Sequence, residues 1–522
     1  MKKHIIVFLT LLTAIILLAQ DVITWSKTYT GEWKLEEEAY DAEQTPDGGY
    51  IVVGTRWDHN PQSPDWQFPH MWILKLDENG DTLWTRTYYY NIEISDPLEN
   101  DYYYRYAEAF DVELTSDNGY VICGYVELEF GNEQAMCILK LDKYGEKVWV
   151  KTYLFEDCDN EAYSIKETSE GGFIVGGTAV VRRDSTYENE TIFLKLTSEG
   201  DSLWSRRLRA SDGIPGSDSK STTLNKIIID SEDNIYGVGC YDGYDYEGRW
   251  TTNGWAIKID NSGIVLWDKS FGGNEGEGFR DVCISSDNNI ILLGYQYLRD
   301  SLATAVWINK IDTAGNVLIE KIIDSGEEGL GVIGNALTKS FDGGYCIGAN
   351  ISQIGIHNCW LIKLDTECDT VWTKVYGYNG YNYINSIHIT NDNGYVLCGQ
   401  TEGSGIEWDW TDLLVMKVDK DGNLSSIENN EDFIKDFKLY QNYPNPFNGE
   451  TTISFSIEEQ SNVEINIYNM KGELVQNLVN KKANKGSHSV RFNAVKLNTG
   501  VYYYQLKVDG IVKDSKRMLY LK

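Results

Sequence analysis

Aromatic and acidic side chains interleave in four stretches of this 522-residue chain, at Thr55–His70, Tyr89–Tyr106, Cys240–Asn253 and Gln400–Asp412. They carry Trp57, Trp66, Tyr103, Tyr246, Trp250, Trp408 and Trp410, with Asp409 between the last two. An exposed indole or phenol offers a flat apolar face on which a sugar can stack, and an adjacent carboxylate accepts the sugar's hydroxyls. The same composition suits a protein partner, and it also suits loops that simply pack on one another. A glycan or protein ligand is therefore expected at these residues. Glu407, Asp409 and Asp65 leave open a glycosidase pair, since hydrolysis of a glycosidic bond needs only two well-spaced carboxyl groups. A purely structural surface component is a third reading. Other chemistry finds no support: His59, His70, His357 and His388 are dispersed without metal-ligand spacing, and neither GxSxG nor CxxC occurs. No catalytic residue, metal ligand or cofactor is assigned, and binding is preferred to catalysis.

Something rigid must hold these stretches, and the sequence supplies it by repetition. A cassette of a polar turn, a short apolar strand, a lysine-centred strand, a tight turn and a tryptophan-bearing strand returns seven times. The first copy reads DGGYIVVG from Asp47, WILKLDENGD from Trp72 and LWTRTY from Leu83. Its lysine recurs as Lys75, Lys140, Lys195, Lys258, Lys310, Lys363 and Lys417, a period of about 50 to 65 residues. Alternation in the lysine strand gives each sheet two packing faces. The lysine is expected to lay its stem on apolar surface and reach a carboxylate or carbonyl at the sheet edge. Glycines such as Gly48, Gly80 and Gly145 supply the positive φ of tight hairpins.

Strand-only repeats of this length predict an all-β fold: a seven-bladed β-propeller, followed by a small Ig-like β-sandwich in the last region. Trp84, Trp149, Trp204, Trp267 and Trp372 occupy one place in five copies, the fifth copy has Ile319 there, and the seventh has no such strand. An orphan strand, residues 22–29, carries Trp25 in the matching position and is expected to close the last blade. The long connections all leave from one side of such a ring, which puts the aromatic stretches on a common face. Glu38, Glu108 and Glu161 match one another on channel-lining strands, and Asp41, Asp111 and Asp281 match three residues further on; hydration of the channel wall is the expectation there, with cation capture the sharper alternative.

The formal charge is -33, and it is uneven: residues from Lys438 onward carry 12 Lys+Arg against 7 Asp+Glu, which leaves about -40 on residues 21–437. An acidic body of this size repels nucleic acid and anionic membrane. Residues 1–20, with Lys2 and Lys3 before an apolar run, read as a secretory signal peptide, and no later stretch is apolar enough for a membrane span in the mature form. The domain plan expected is 1–20 signal, 21–424 propeller, 425–438 linker and 439–522 terminal domain. Most of the nine cysteines fall inside repeat strands and read as small core residues, although Cys123 with Cys137, or Cys346 with Cys359, are placed to pair across neighbouring strands.

In the terminal region, YPNPFN (Tyr443, Pro444, Asn445, Pro446, Phe447, Asn448), the run IYNMKGELV from Ile467, the strand GVYYYQL with Gly500 and Tyr502, and the basic end at Lys522 resemble the type A sorting domain of the Bacteroidetes type IX secretion system. The resemblance covers residues 439–522. It implies passage of the inner membrane by the amino-terminal signal, recognition by the type IX machinery, and delivery to the outer surface or the medium. The repeats are more weakly similar to propellers of secreted proteins from the same bacteria, with no quinone-site or hydrolase motif to carry over.

Overall fold

The computed structural model describes residues 23–31, 35–60, 63–88, 106–129, 133–155, 158–183, 186–209, 221–244, 250–273, 276–299, 302–325, 330–353, 356–377, 381–402, 411–424, 438–439, 442, 445–457, 460–471, 473–483, 486–495 and 497–522. Within them every regular element is a β-strand, and residues 25–418 form seven four-stranded antiparallel sheets. Sheet 1 is built from Glu37–Gln44, Tyr50–Asn60, Ser63–Leu76 and Thr82–Tyr88. Sheets 2 to 6 repeat that meander, starting from inner strands Ala107–Leu114, Cys158–Glu167, Ser221–Ile229, Glu277–Ile284 and Gly331–Lys339. Sheet 7 takes three strands from Asn382–Ile389, Tyr395–Glu402 and Thr411–Val418, and its fourth from Trp25–Tyr29.

Apolar layers join the sheets pairwise. Ile51, Val53 and Ile73 pack with Val112 and Ile122 between sheets 1 and 2, and the series continues to a layer in which Val396, Leu413 and Val415 of sheet 7 meet Ala39, Val52 and Leu74 of sheet 1. Sheets of four strands, each covered on both faces, are the arrangement of propeller blades. Three recurrent devices explain how this sequence makes them.

The first is the lysine. Lys75 lies 3.0 Å from Asp47, Lys140 2.9 Å from Asp117, Lys363 2.9 Å from Asp342 and Lys417 2.8 Å from Asp392, all with the stem buried. Each also donates to the carbonyl of the next residue, so it ties the turn after the inner strand to the turn after the third. The second is the tryptophan, paired in register with that lysine: Trp84 with Lys75, Trp149 with Lys140, Trp372 with Lys363, and Trp25 with Lys417. Each indole reaches the next sheet. Trp25 Nε1 donates to Glu78 O at 3.0 Å, and Trp149 Nε1 to Ser198 O at 3.1 Å. The indole also covers a turn glycine, where an added Cβ would stand 2.8 Å from Trp25 at Gly80 and 2.5 Å from Trp84 at Gly145.

The third is a β-bulge in every inner strand, between Ala39 and Asp41, Ala109 and Asp111, Ala162 and Ser164, Leu224 and Lys226, Phe279 and Asp281, Gly334 and Ala336, and Ile384 and Ser386. A bulge inserts one residue and re-aims the side chains around it. It also drives a carbonyl toward the second strand: a Cβ at Gly54 would fall 1.9 Å from Glu38 O, and at Gly124 1.8 Å from Glu108 O. That close approach explains the glycine ending the VVG and ICG runs.

All nine cysteines are free. Cys123 lies opposite Ile138, and Cys137 opposite Gly124, so the two thiols point to opposite faces of one sheet and enter different apolar layers. Cys346 pairs in register with Lys363, four rows from Cys359. Neither pairing suggested by strand proximity is formed: Cys123 and Cys137 occupy opposite faces because adjacent positions on a strand alternate, whereas Cys346 and Cys359 share one apolar layer but stand four rows apart, roughly 13 Å and too far to bridge.

The terminal region is a second all-β unit. A three-stranded sheet (Lys438–Leu439, Glu450–Ile457, Gly486–Asn493) and a four-stranded one (Leu474–Ala483, Ser461–Asn469, Gly500–Val508, Ile511–Tyr520) share one core around Ile453, Phe455, Ile465, Tyr504 and Phe492.

Candidate functional site

The inner strands surround a common axis. Lys226 of sheet 4 shows this directly, since its Nζ lies 2.8 Å from Asp111 Oδ1 of sheet 2. Burial along Glu37–Gln44 alternates, with Glu38 and Tyr40 half-buried while Ala39 and Asp41 are buried. The residue inserted by the bulge is Tyr40 in sheet 1, Phe110 in sheet 2 and Tyr163 in sheet 3, and two residues before each stands Glu38, Glu108 and Glu161. Glu38 pairs in register with Thr55, midway along strand Tyr50–Asn60, whose second half leads to the connection with the third strand. These side chains therefore sit at the end of the axis where the long connections emerge.

Here the three sheets make an arc of aromatic rings and acids. Tyr40 meets Phe110 edge-on at 5.0 Å, and Phe110 stacks on Tyr163 at 5.2 Å and 27°. Tyr125 adds a fourth ring, tilted against Phe110 at 5.9 Å. Tyr125 Oη donates to Glu108 Oε1 at 3.0 Å, Tyr163 Oη donates to Glu161, and Asn385 Nδ2 donates to Glu38 Oε1 at 2.9 Å. Among the described residues none of the three glutamates is in an ion pair. Burial raises the pKa of Glu38 and Glu161, and it pushes Glu108 up to about 7 against the hydrogen bond from Tyr125. The arc can stack an apolar face, accept hydroxyl protons and, at Glu108, exchange a proton near neutrality.

One layer deeper the carboxyl groups serve the scaffold. Asp41 accepts from the amides of Ala42 at 3.0 Å and Val112 at 3.3 Å; Asp111 accepts from Ile165 at 2.8 Å, and Asp281 from Leu337 at 2.6 Å. Each thereby links its own sheet to the next. No group of three or more His, Cys, Asp or Glu able to hold a metal is found among the described residues.

The stretch Thr55–His70, expected as a long connection, is instead mostly paired strand, within Tyr50–Asn60 and Ser63–Leu76; in it Trp57 is half-buried, with its ring edge-on to Tyr106 at 6.1 Å. Beside it Arg56 bonds Asp58 at 2.7 Å, and burial pushes Glu37 up to about 8 and His70 down to about 4. The backbones of Trp66 and Trp250 belong to strands Ser63–Leu76 and Trp250–Ile259. Tyr103, Tyr246, Trp408, Asp409 and Trp410 lie outside the described residues. The arc at the axis combines residues that sequence reasoning noted, the three glutamates, with rings it passed over. The signal was present in EAYD, EAFD and EAYS at Glu38, Glu108 and Glu161.

In the terminal unit, Phe447 is buried against Tyr520 at 5.1 Å and exchanges backbone hydrogen bonds with Leu519 and Leu521. Asn445 accepts from Leu519 N at 2.8 Å, and Asn445, Pro446 and Asn448 are exposed. Tyr502 Oη donates to Asn498 O at 2.9 Å, Gly500 begins its strand, and Lys522 N donates to Thr499 at 3.1 Å. Tyr443 and Pro444 lie outside the described residues.

A seven-sheet body with a separate terminal sandwich defines an all-β protein whose last region carries an address. Residues 441–519 match the secretion system C-terminal sorting domain family. This domain implies interaction with the type IX secretion machinery and indicates export by that route to the cell surface or extracellular space. No curated protein matches the chain. Solved structures similar to it include a protein of unknown function from Dyadobacter fermentans, 10% identical over 60% of this chain and 94% of that one, TM-score 0.41. The β-propeller domain of the Trilobed protease from Pyrococcus furiosus is 13% identical over 77% of this chain and 98% of its own, TM-score 0.40. A puromycin hydrolase is 9% identical over 81% of this chain and 59% of its own, TM-score 0.43. No helix among the described residues is long and apolar enough to cross a membrane.

Proposed function

We propose that the chain is an exported binding or adhesion protein, a seven-bladed β-propeller of residues 21–424 that takes a glycan or protein ligand on its long-connection face. Residues 1–20 serve as the signal, 425–438 as linker and 439–522 as an Ig-like sorting domain. The observation that carries the reading is the arc of Tyr40, Phe110 and Tyr163 threaded with Glu38, Glu108 and Glu161 at the axis. Aromatic faces beside hydrogen-bonding acids match the two sides of a sugar ring, so a glycan is the favoured ligand. The aromatic residues of the long connections, Trp57, Trp66, Tyr103, Tyr246, Trp250, Trp408 and Trp410 with Asp409, would extend this surface outward. A glycan array and a pull-down with the exported protein test the proposal. Binding that Phe110→Ala abolishes supports it; both assays blank would count against it.

A hydrolase is the second reading, favoured by Glu108, whose carboxyl group is held near neutrality by burial. Sugar release that Glu108→Gln eliminates, or that falls with substitution of Glu407, Asp409 or Asp65, would replace the binding proposal with this one.

A further inference from the structure

The cycle of sheets has one seam where the two ends of the repeat region meet, between sheet 7 and sheet 1. The seam is fastened on its outside by the Trp25 strand and on its inside by His388. His388 Nε2 lies 2.9 Å from Asp41 Oδ1, and its Nδ1 lies 3.9 Å from Glu43 Oε1. Ser386, two residues earlier, donates to the same Asp41 oxygen, and Asn385 donates to Ala39 O at 2.9 Å. Asp41 is 1% exposed, so the charge facing His388 has little water to answer it.

The groups around His388 are unbalanced. Sheet 1 contributes Asp41 and Glu43, sheet 2 Asp111 and Glu113, and sheet 5 Asp281, all carboxyl groups; sheet 3 contributes Lys166, paired with Glu113, and sheet 4 Lys226, paired with Asp111. Sheet 6 places the uncharged Thr338 at the matching register. With His388 neutral, two lysines face five carboxyl groups; with His388 charged, the third cation falls on the seam itself.

We propose that the closure of the cycle is a proton-controlled latch, in which protonated His388 of sheet 7 binds Asp41 of sheet 1 beside a protonated Glu43, and loss of these protons loosens the seam. The directions of titration agree with the geometry. Burial works against the charge on His388, but Asp41 and Glu43 raise its pKa overall above the free value. A group whose pKa rises on folding lends stability that is complete below its unfolded pKa and is lost as pH climbs through the folded one. Glu43, pushed up to about 7 by burial and by Glu113, acts in the same direction and loses its part between the ordinary carboxylate range and about 7. The seam is therefore tightest in mild acid and weakens from neutrality upward.

The test is thermal unfolding of the exported protein across pH 6 to 9, with hydrogen exchange read strand by strand, for the natural sequence, His388→Gln and Glu43→Gln. Expected is a fall in melting temperature with pH that His388→Gln flattens. A loss of protection of about tenfold is expected at residues 25–29 and 382–389 after correction for intrinsic exchange. Sheets 3 and 4 should keep theirs. An unchanged slope in His388→Gln overturns the proposal. Should that variant not fold, exchange in the natural sequence and Glu43→Gln decides: loss confined to the seam, and reduced in Glu43→Gln, sustains the latch, while uniform loss overturns it.

Discussion

The fifth and sixth sheets depart together from the tryptophan–glycine rule, and the pair of departures can be tested by swapping them back. Sheet 5 has Ile319 in register with Lys310, where other sheets place tryptophan, and the turn it faces in sheet 6 has Cys368 instead of glycine. Cys368 is 1% exposed and holds φ at 62°, a left-handed value that costs a non-glycine residue about 1–2 kcal/mol. Elsewhere a side chain on the turn and an indole over it exclude each other, because an added Cβ would stand 2.9 Å from the ring at Gly422 and 2.5 Å at Gly145. Ile319→Trp alone should therefore overpack the site and destabilise by about 1–3 kcal/mol. Cys368→Gly alone exchanges a buried side chain of roughly 1 kcal/mol for relief of the backbone, so its net effect is within about 1 kcal/mol of zero. The double variant restores the arrangement of the other seams, with the indole N–H able to reach Thr366 O, the equivalent of Glu78 O at Trp25. It should regain the loss, giving a coupling of about 1–3 kcal/mol in a double-mutant cycle of denaturant unfolding. A double variant as unstable as the sum of the singles would refute the reasoning.

Three further outcomes follow from the same contacts. Trp25→Ala, which removes a 6% exposed indole in edge contact with Tyr50, should cost about 3–5 kcal/mol in unfolding experiments; no change in melting temperature would mean the orphan strand does not close the cycle. Asp117 is held at about 2 by its hydrogen bonds from Thr115 and Lys140, which outweigh partial burial, so its contribution is present above the ordinary carboxylate range and is lost as pH falls through about 2; Asp117→Asn should move the acid-unfolding midpoint to higher pH, and an unmoved midpoint would show the pair to be idle. A reporter carrying the amino-terminal signal and residues 439–522 should reach the surface of a host with type IX secretion, and retention in the periplasm would contradict the sorting assignment.

Much of the scaffold was legible because its devices use residue types with few alternatives. Lysine in a core strand must find a carboxylate, and glycine in a tight hairpin supplies positive φ; the lysine–aspartate pairs and the left-handed Gly48, Gly80 and Gly145 follow both readings. The orphan Trp25 could be placed because its neighbours in register were already counted. The bulge was not legible: it adds a residue without changing the apolar pattern, so Tyr40, Phe110 and Tyr163 read as ordinary members of a strand rather than as rings turned toward the axis. Disulfide suggestions failed for a related reason, since nearness in sequence between Cys123 and Cys137 says nothing of the face each occupies. Selection of long connections by their aromatic content found Trp57, which spends part of its surface on Tyr106.

The most direct measurement on the proposed ligand face is hydrogen exchange of the exported protein with and without the best glycan from an array. Protection is expected at residues 37–41, 107–111 and 160–164, the inner-strand starts that carry the arc, and Phe110→Ala should remove it. Protection confined to the short turns at 45–50 and 77–82, on the opposite face, would contradict the assignment.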